Sequence, residues 1–457
     1  MPENKKENQE ILKAINAFSQ NNFKEAEKIC AHVLTTEDNA DANHIIGCIR
    51  MGEKKYEESI SFFNKALKSS PENIGILISL GCVLSSKKDY EGSILVFKKV
   101  IKFKDDIAQV YFYLGEAQRK TEKLEDALVS FKKCLVLSPD HISCQLLIGI
   151  MYEELKKFDQ AKESYKSCIR TNPNFPEAHI YLGMCYLLTG QYKDGWKEFQ
   201  WREKLKNKIY QKQFTKPEWQ NEDLTNRTLV VIAEQSIGET FQYIRFVKQL
   251  AIEGAKIIVI APDEIVDILK QQKWISDIIS YDDPLPEYDF YIYMINIARN
   301  LEWSPKMDTQ KHPYLAAKKL KFSHYVKGKK NIGFMNEADS SLPNYELIRL
   351  PEDKIISILN SSKHNIIDLS KGYNFLELSS IIQHLDLVIT IESDLCHLAG
   401  SLNIDTWLAL SVVPKFTWDL NYKKDTPWYP SVELFRQETY RDWDIVLSNI
   451  EKRLENV

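Results

Sequence analysis

The chain has 457 residues, of which 44% are hydrophobic and 27% are charged, which is enough apolar material for two or three cores of ordinary domain size. Its formal net charge is −4 and its pI is near 6.2, so the basic footprint of a nucleic-acid-binding protein is missing. No apolar run approaches the roughly 20 residues that span a bilayer, and the first ten residues are too polar for a signal peptide. These features predict a cytoplasmic protein that has no transmembrane segment and does not bind nucleic acid.

Five glycines recur every 34 residues in the first 200 residues: Gly47, Gly81, Gly115, Gly149 and Gly183. Each is followed after sixteen residues by an aromatic residue: Phe63, Phe97, Phe131, Tyr165 and Phe199. This period is typical of the helix–turn–helix unit of tetratricopeptide (TPR) repeats, in which the missing side chain lets the second helix approach the first closely. One earlier unit, shifted by a residue, is indicated by Ala14, Phe23 and Ala26. The sequence therefore predicts a solenoid of six repeats over residues 7–205.

Seven of the eight cysteines lie in the repeats, and none forms a C-x-x-C pair. We interpret them as reduced packing residues. His141 and Cys144 are the one pair that resembles metal ligands, and we set this interpretation aside in favour of no metal site.

The first helix of each repeat is expected to line a concave groove, with the residues around each glycine facing it. These positions are mostly apolar, and the predicted groove residues are Ile78, Phe112, Leu146, Ile150, Ile180 and Met184. The Lys and Asn residues with which some TPR domains clamp a terminal carboxylate are missing. The groove therefore predicts a hydrophobic protein or peptide segment as partner. The alternative is that part of this surface packs on the C-terminal domain.

A linker is predicted at residues 206–226, and short β-branched runs then alternate with helical stretches, which predicts parallel sheets. The expected strands are Thr228–Ala233, Lys256–Ile260, Ile278–Tyr281, Phe290–Tyr293, Asn331–Phe334, Asn365–Asp368, Asp386–Ile391 and Thr406–Ala409. They form two Rossmann-like halves, residues 227–325 and 326–457, with a crevice between them. The Lys-rich segment Leu301–Lys330 is the expected hinge.

Three segments carry a family resemblance. Residues 233–245, AEQSIGETFQYIR, resemble the A-E-Q-G-x-G-D-x-x-Q-x-x-R signature of bacterial TPR proteins whose C-terminal region is similar to family 9 glycosyltransferases, the heptosyltransferase group. Residues 388–400, VITIESDLCHLAG, resemble that family's V-I-S-V-D-T-x-x-x-H-L-A-G, and DTPWYP at 425–430 with LFRQ at 434–437 and Trp443 matches its C-terminal block. The resemblance implies a GT-B-like pair of Rossmann-like domains after the TPR solenoid.

The implied activity is transfer of a sugar from a nucleotide-sugar donor to a protein or glycan acceptor recruited by the repeats, with no metal or other cofactor. Glu239 stands where the family usually carries Asp and would be the general base; alternatively it only caps its helix. Gln235, Gln242 and Arg245 would lie on the acceptor side. The donor side would comprise Gly238, Glu392, Ser393, Asp394, His397 and Arg349. Alternatively, His397 packs inside the protein and does not contact the donor.

Several residues depart from the family pattern. Asn336-Glu337-Ala338-Asp339 replaces a Trp/Gly/Asn turn, Glu392 replaces Asp, and Asp394 adds a second negative charge beside the proposed diphosphate. Like charges in a partly buried crevice repel the donor. A catalytically inactive pseudo-glycosyltransferase that acts as a protein-binding scaffold is therefore the second hypothesis, and binding of another phosphorylated ligand is the third. Trp418, Trp428 and Tyr429 are expected either to stack on a base or sugar or to fill the core.

Overall fold

The computed structural model describes residues 3–36, 38–205, 213–305, 312–337, 348–439 and 441–457. It divides into two compact units, Met1–Leu155 with Arg170–Pro173, and Lys156–Ile169 with Asn174–Val457. Helical TPR-like repeats form the N-terminal half, and parallel-sheet α/β elements form the C-terminal half. This level of the predicted fold class is confirmed, and the division between the two compact units falls within the repeats.

The described residues up to Phe199 form six helix pairs. The first helix begins at Glu3, four residues before the predicted start of the repeats. The helices are α1 (Glu3–Ser19), α2 (Phe23–Val33), α3 (Ala40–Gly52), α4 (Tyr56–Ser69), α5 (Ile74–Ser86), α6 (Tyr90–Phe103), α7 (Ala108–Lys120), α8 (Leu124–Leu137), α9 (Ile142–Glu154), α10 (Phe158–Thr171), α11 (Pro176–Leu188) and α12 (Tyr192–Phe199).

The repeated glycines are where two helices of a repeat touch. A Cβ atom on Gly47, Gly81 or Gly115 would lie 2.5, 2.5 or 2.7 Å from the ring of the aromatic residue sixteen positions later. Ser59 and Ser93, twelve positions after their glycines, donate hydrogen bonds of 2.7 and 2.9 Å to the glycine carbonyls. The close approach predicted from the spacing is therefore confirmed in these repeats.

A residue in the left-handed conformation lies two positions after the end of the first helix in each repeat, with φ between 56° and 78°. These residues are Asn21, Lys54, Lys88, Glu122, Lys156 and Gly190. The conformation reverses the chain direction so that the second helix can pack back on the first.

The α/β half contains two parallel sheets with strand orders β3-β2-β1-β4 and β6-β5-β7-β8-β9. The strands are β1 (Thr228–Ile232), β2 (Lys256–Ile260), β3 (Asp277–Ile279), β4 (Phe290–Tyr293), β5 (Asn331–Met335), β6 (Asn365–Asp368), β7 (Leu387–Ile391), β8 (Thr406–Leu410) and β9 (Val432–Arg436). The helices are α13 (Ile237–Ile252), α14 (Asp263–Leu269), α15 (Met294–Asn300), α16 (Glu352–Ser361), α17 (Phe375–Ile381), α18 (Asp394–Ser401) and α19 (Asp444–Leu454).

Eight of these strands lie within two residues of their predicted bounds, because strands buried on both faces form continuous apolar runs. In register, Val230 of β1 lies between Ile258 of β2 and Tyr291 of β4. Strand β9 and helices α15 and α19 were not predicted.

The last repeat shares one hydrophobic core with the α/β elements of the second unit. Leu187, Trp196 and Phe199 are buried in the same cluster as residues of β1, α13 and β8. The indole N–H of Trp196 donates a 3.0 Å hydrogen bond to the carbonyl of Trp303. The sixth repeat is therefore built into the second unit.

Part of the predicted linker, residues 206–212, lies outside the described residues. The remainder is packed against the first sheet: Trp219 is buried, and its backbone N–H donates to the Tyr291 carbonyl at 2.8 Å. The described part of residues 206–226 is therefore an ordered connection.

Candidate functional site

Helices α13 and α18 begin at the carboxyl ends of central strands β1 and β7, the edge at which α/β sheets bind ligands. Ser236 and Glu239 form a capping box at the start of α13. The Ser236 hydroxyl oxygen accepts from the Glu239 N–H at 3.2 Å, and the Glu239 carboxylate accepts from the N–H and the hydroxyl of Ser236 at 3.2 and 3.0 Å. Glu239 is 8% exposed. The observed contacts of Glu239 are therefore those of a helix cap, which was the alternative to its role as a general base.

The amino-terminal ends of α13 and α18 meet directly. The backbone N–H of Gly238 donates a 2.7 Å hydrogen bond to Oδ1 of Asp394. A Cβ atom at position 238 would lie 2.6 Å from that oxygen and 2.8 Å from Cδ2 of His397. The contact between α13 and α18 therefore leaves no room for a side chain at position 238. The Asp394 carboxylate links the start of α18, in the second sheet, to the start of α13, in the first sheet.

Glu392 and Lys415 lie beside this contact. The buried Glu392 carboxylate accepts the backbone N–H of Lys415 at 3.0 Å and 3.3 Å. Burial raises the pKa of Glu392, and the charge of Lys415 only partly opposes that rise. Burial also disfavours the Lys415 ammonium, but Glu239, Glu392 and Asp394 outweigh this effect and hold the pKa of Lys415 above its usual value. The site thus combines the carboxylates of Glu239, Glu392 and Asp394 with the ammonium of Lys415, and Arg436 also opposes the rise in the pKa of Glu392.

Lys415 was missed by the sequence analysis. It ends the run Ser411-Val412-Val413-Pro414-Lys415, which follows β8 at the carboxyl edge of the second sheet. A charged residue that closes an apolar run at that edge is the signal by which it could have been found.

His397 lies inside the protein, one turn into α18. Its Nδ1 atom is 2.9 Å from the Tyr429 hydroxyl, and its ring stacks on Trp418 with 5.2 Å between centroids. Burial lowers the pKa of His397 to about 3, and Lys415 and Arg245 act in the same direction. These contacts correspond to the packing alternative for His397.

Arg245 and Gln242, expected on the acceptor side, are fully buried. The Arg245 guanidinium donates to the Trp428 carbonyl at 2.7 Å and to the Tyr314 hydroxyl at 3.1 Å. The Gln242 side-chain oxygen accepts from the Thr417 hydroxyl at 3.3 Å. In this structure both side chains hold α13 against the C-terminal segments and are not exposed to an acceptor.

The other predicted polar residues lie at the same edge of the second sheet. The Ser393 hydroxyl is 3.1 Å from that of Thr390. Arg349 donates to the Asn336 carbonyl at 3.0 Å and forms a 3.3 Å ion pair with Glu352.

Gln235 is half-buried just before α13. Trp418, Trp428 and Tyr429 are buried in the core, as the second alternative for these aromatic residues proposed. Glu337 is exposed, and Asp339 lies outside the described residues.

A buried ion pair that the sequence analysis did not predict connects the repeats to the first sheet. Arg202, just after α12, donates to Glu234 at the end of β1 and to the Asn296 side chain, both at 2.7 Å. The second oxygen of Glu234 accepts the backbone N–H of Met294 at 3.0 Å. The pair fixes the last repeat at the carboxyl edge of the first sheet.

The predicted groove residues fall in both units. Ile180 and Met184 pack against the core that the last repeat shares with the α/β elements, which corresponds to the packing alternative. In the first unit, Phe112 is half-buried and its ring stacks on that of His141 with 4.7 Å between centroids. Three more half-buried groove residues belong to this unit: Ile78, Leu146 and Ile150.

His141 serves as a helix cap. Its Nδ1 atom accepts the backbone N–H of Cys144 at 3.2 Å, at the start of α9. All eight cysteines are free thiols. Within the described ranges, no group of three or more His, Cys, Asp or Glu residues is arranged to hold a metal ion.

Comparison with known proteins identifies the repeats. Residues 40–73, 108–141 and 142–175 match one tetratricopeptide repeat family model, and residues 164–197 match another. No curated protein matches the chain. The repeats therefore belong to a class of modules that bind peptide or protein partners. None of the helices in the described parts of the chain is long and apolar enough to cross a membrane.

Several solved TPR structures are similar to part of the chain. The crystal structure of MamA is 23% identical, with a TM-score of 0.33, and the match covers 34% of this chain and 91% of that one. YrrB, described as a TPR protein with an unusual peptide-binding site, is 21% identical over 37% of this chain and 88% of its own, with a TM-score of 0.34. PilF of Pseudomonas aeruginosa is 16% identical over 44% and 91%, with a TM-score of 0.40.

Proposed function

We propose that this chain is a TPR protein-binding scaffold whose α/β region has the GT-B architecture of a glycosyltransferase but a closed donor site. The observation that carries the closed site is the hydrogen bond from the Gly238 N–H to the Asp394 carboxylate. The donor diphosphate of such an enzyme would lie at the amino-terminal end of α18, where free N–H groups and the positive end of the helix dipole attract anions. Asp394 already places a carboxylate there.

The other acids of the site are also engaged within the chain. Glu239 is bonded to Ser236, and Glu392 is bonded to the Lys415 N–H. A general base must reach the proton that it removes, whereas the Glu239 carboxylate is directed back to its own helix cap. These contacts support a structural role for all three acids.

The binding surface of the scaffold is the groove of the first unit. Phe112, Leu146 and Ile150 remain half-buried there. Burial raises the pKa of neighbouring Glu116, with Arg119 opposing the rise. An apolar helical or extended segment is the ligand that suits such a lining.

Peptide selection tests this surface. A phage-displayed peptide library is panned against the full chain, and affinities of the selected peptides are measured. Phe112→Glu and Leu146→Glu should each weaken binding at least tenfold, because a carboxylate replaces an apolar contact. Ser61→Glu, at an exposed position of α4, adds the same charge outside the groove and should leave peptide affinity unchanged. Selected peptides that bind all variants equally would show that the groove is not the binding surface.

Glycosyl transfer is the second candidate, and Lys415 favours it. An ammonium beside the start of α18 could neutralise a donor diphosphate, with Glu239 as base. A thermal-shift panel of nucleotide sugars separates the candidates, since a ligand at 100 times its dissociation constant stabilises by about 2.7 kcal/mol.

The scaffold proposal expects no shift for the parent. A shift that is lost in Lys415→Gln, together with product formation lost in Glu239→Gln, would establish the transferase instead. Stabilisation seen only in Asp394→Asn would identify a donor site closed by its own acid.

A further inference from the structure

The outer face of the third and fourth repeats carries apolar side chains in water. Leu95 on α6 is 69% exposed, and Val129 and Val136 on α8 are 68% and 73% exposed. Leu95 and Val129 occupy the same position in consecutive repeats, 34 residues apart. Two neighbouring second helices therefore present apolar residues in the same direction.

Lysines complete these two helical faces, which we call the outer patch. Its members follow an i, i+3, i+4, i+7 spacing, so that each set shares one face of its helix. They are Leu95, Lys98, Lys99 and Lys102 on α6, and Val129, Lys132, Lys133 and Val136 on α8. All eight are exposed.

The positive charge of the outer patch is not neutralised by carboxylates of the described chain. In the part of the chain that the structure describes, none of the five lysines forms an ion pair, whereas nearby Lys123 pairs with Glu91 at 2.6 Å. The Lys132 and Lys133 ammonium groups lie 5.5 and 6.0 Å from the ring centres of Tyr152 and Tyr111. These contacts leave the charges available to an anionic surface.

The repeat fold does not require apolar residues at these positions. Ser61 and Glu163 occupy the position of Leu95 and Val129 in the second and fifth repeats, and both are exposed. The apolar and basic combination is thus a property of two repeats and not of the repeat unit.

We propose that the outer patch binds the surface of an anionic lipid membrane. Exposed apolar side chains enter the interface between headgroups and acyl chains, and lysines extend their stems to reach lipid phosphates. The patch lies on the second helices α6 and α8, and its apolar residues are exposed beside its lysines, which suits a surface that offers both acyl chains and phosphates. Binding is peripheral, since it needs no membrane-spanning helix.

Vesicle co-sedimentation of the full chain tests the proposal. The protein should bind vesicles of phosphatidylcholine mixed with phosphatidylglycerol, not phosphatidylcholine alone, and should dissociate at high salt. Free inorganic phosphate should not displace it, because a lipid surface offers apolar contacts that phosphate lacks.

Variants test whether the outer patch itself, and not the positive charge of other surfaces, binds the vesicles. Lys99→Gln/Lys133→Gln should lower partitioning roughly twentyfold, since each lysine near an anionic surface contributes about a fivefold change. Leu95→Ser/Val129→Ser should also weaken binding. Lys13→Gln/Lys120→Gln removes two exposed charges from the first helices α1 and α7 and should leave binding unchanged. Circular dichroism checks that every variant remains folded.

Three results would overturn the proposal. The first is no binding to the mixed vesicles, and the second is an equal loss of binding in the Lys13→Gln/Lys120→Gln control. The third is tighter binding of soluble polyglutamate than of the mixed vesicles, with the same dependence on the outer patch; it would identify an acidic protein as the partner.

Discussion

The two units of the protein place their charged pairs differently. In the first unit, Lys123 and Glu91 pair at the surface, with side chains 42% and 62% exposed. In the second unit, the side chains of Arg202 and Glu234 are only 4% and 1% exposed. The Lys123–Glu91 pair of the repeats is thus a surface contact, whereas the Arg202–Glu234 pair of the α/β region is a buried contact between segments that are distant in sequence. The second kind is more sensitive to single substitutions.

Removing one member of the buried pair has the largest expected effect. Arg202→Met should lower the free energy of unfolding by about 3–5 kcal/mol, because it leaves the Glu234 charge buried without its guanidinium. Urea unfolding of the full chain measures this change.

The exposed pair is the matched control. Lys123→Met should cost less than about 1 kcal/mol. The double variant Arg202→Met/Glu234→Gln should recover stability relative to Arg202→Met, since no buried charge remains. Equal losses at the buried and the exposed pair would contradict the difference between the units.

Acidification should destabilise the second unit through His397. The unfolded side chain binds a proton near pH 6.5, but burial lowers the pKa of the folded one to about 3. This contribution is therefore complete above about pH 6.5 and is lost as the pH falls toward 3. Between pH 7 and pH 5 it should decrease by about 2 kcal/mol.

His397→Gln should remove that part of the pH dependence and can retain the bond to the Tyr429 hydroxyl. His324→Gln, at an exposed position, is the control and should keep the parental dependence. Urea unfolding at both pH values measures the difference. Identical pH profiles for the parent and His397→Gln would exclude this contribution.

The smallest expected effect tests the repeats. Gly115→Ala should destabilise by about 1 kcal/mol net, because the new Cβ lies 2.7 Å from Phe131 and the resulting overpacking exceeds the gain in helix propensity. Gly52→Ala meets nothing within 4 Å and should be neutral or stabilising. Thermal unfolding compares the two, and a stabilised Gly115→Ala would refute the packing role of the repeated glycine.

Local patterns were sufficient to predict the repeats and most strands. The spacing of Gly115 and Phe131 predicted the close contact between α7 and α8, and the apolar run at Leu387–Ile391 predicted β7. Strand β9 and helix α19 were missed. Strand β9 is short and lies at the edge of its sheet, and Glu433 and Arg436 interrupt its apolar residues.

The contacts at the candidate site could not be predicted in this way. Asp394 and Gly238 are 156 positions apart in the sequence, and Arg202 and Glu234 are 32 positions apart, on either side of the connection between the repeats and the first sheet. Sequence spacing placed Asp394 at the start of a helix, but only the fold shows that its carboxylate bonds to a second helix. The roles of Glu239 and the donor-side residues stay predictions.

The core that the sixth repeat shares with the α/β elements has a consequence for synthesis on the ribosome. Domains generally fold as they emerge, from the amino terminus onward. In a repeat array each early repeat packs mainly on its neighbours, so it can fold as soon as one or two repeats have been synthesised. Trp196 and Phe199, however, pack against the ring of Phe416, with 6.3 and 5.1 Å between ring centroids. The end of the solenoid must therefore wait for more than 200 further residues, and during that interval its apolar face is not yet covered by the side chains that bury it in the folded protein.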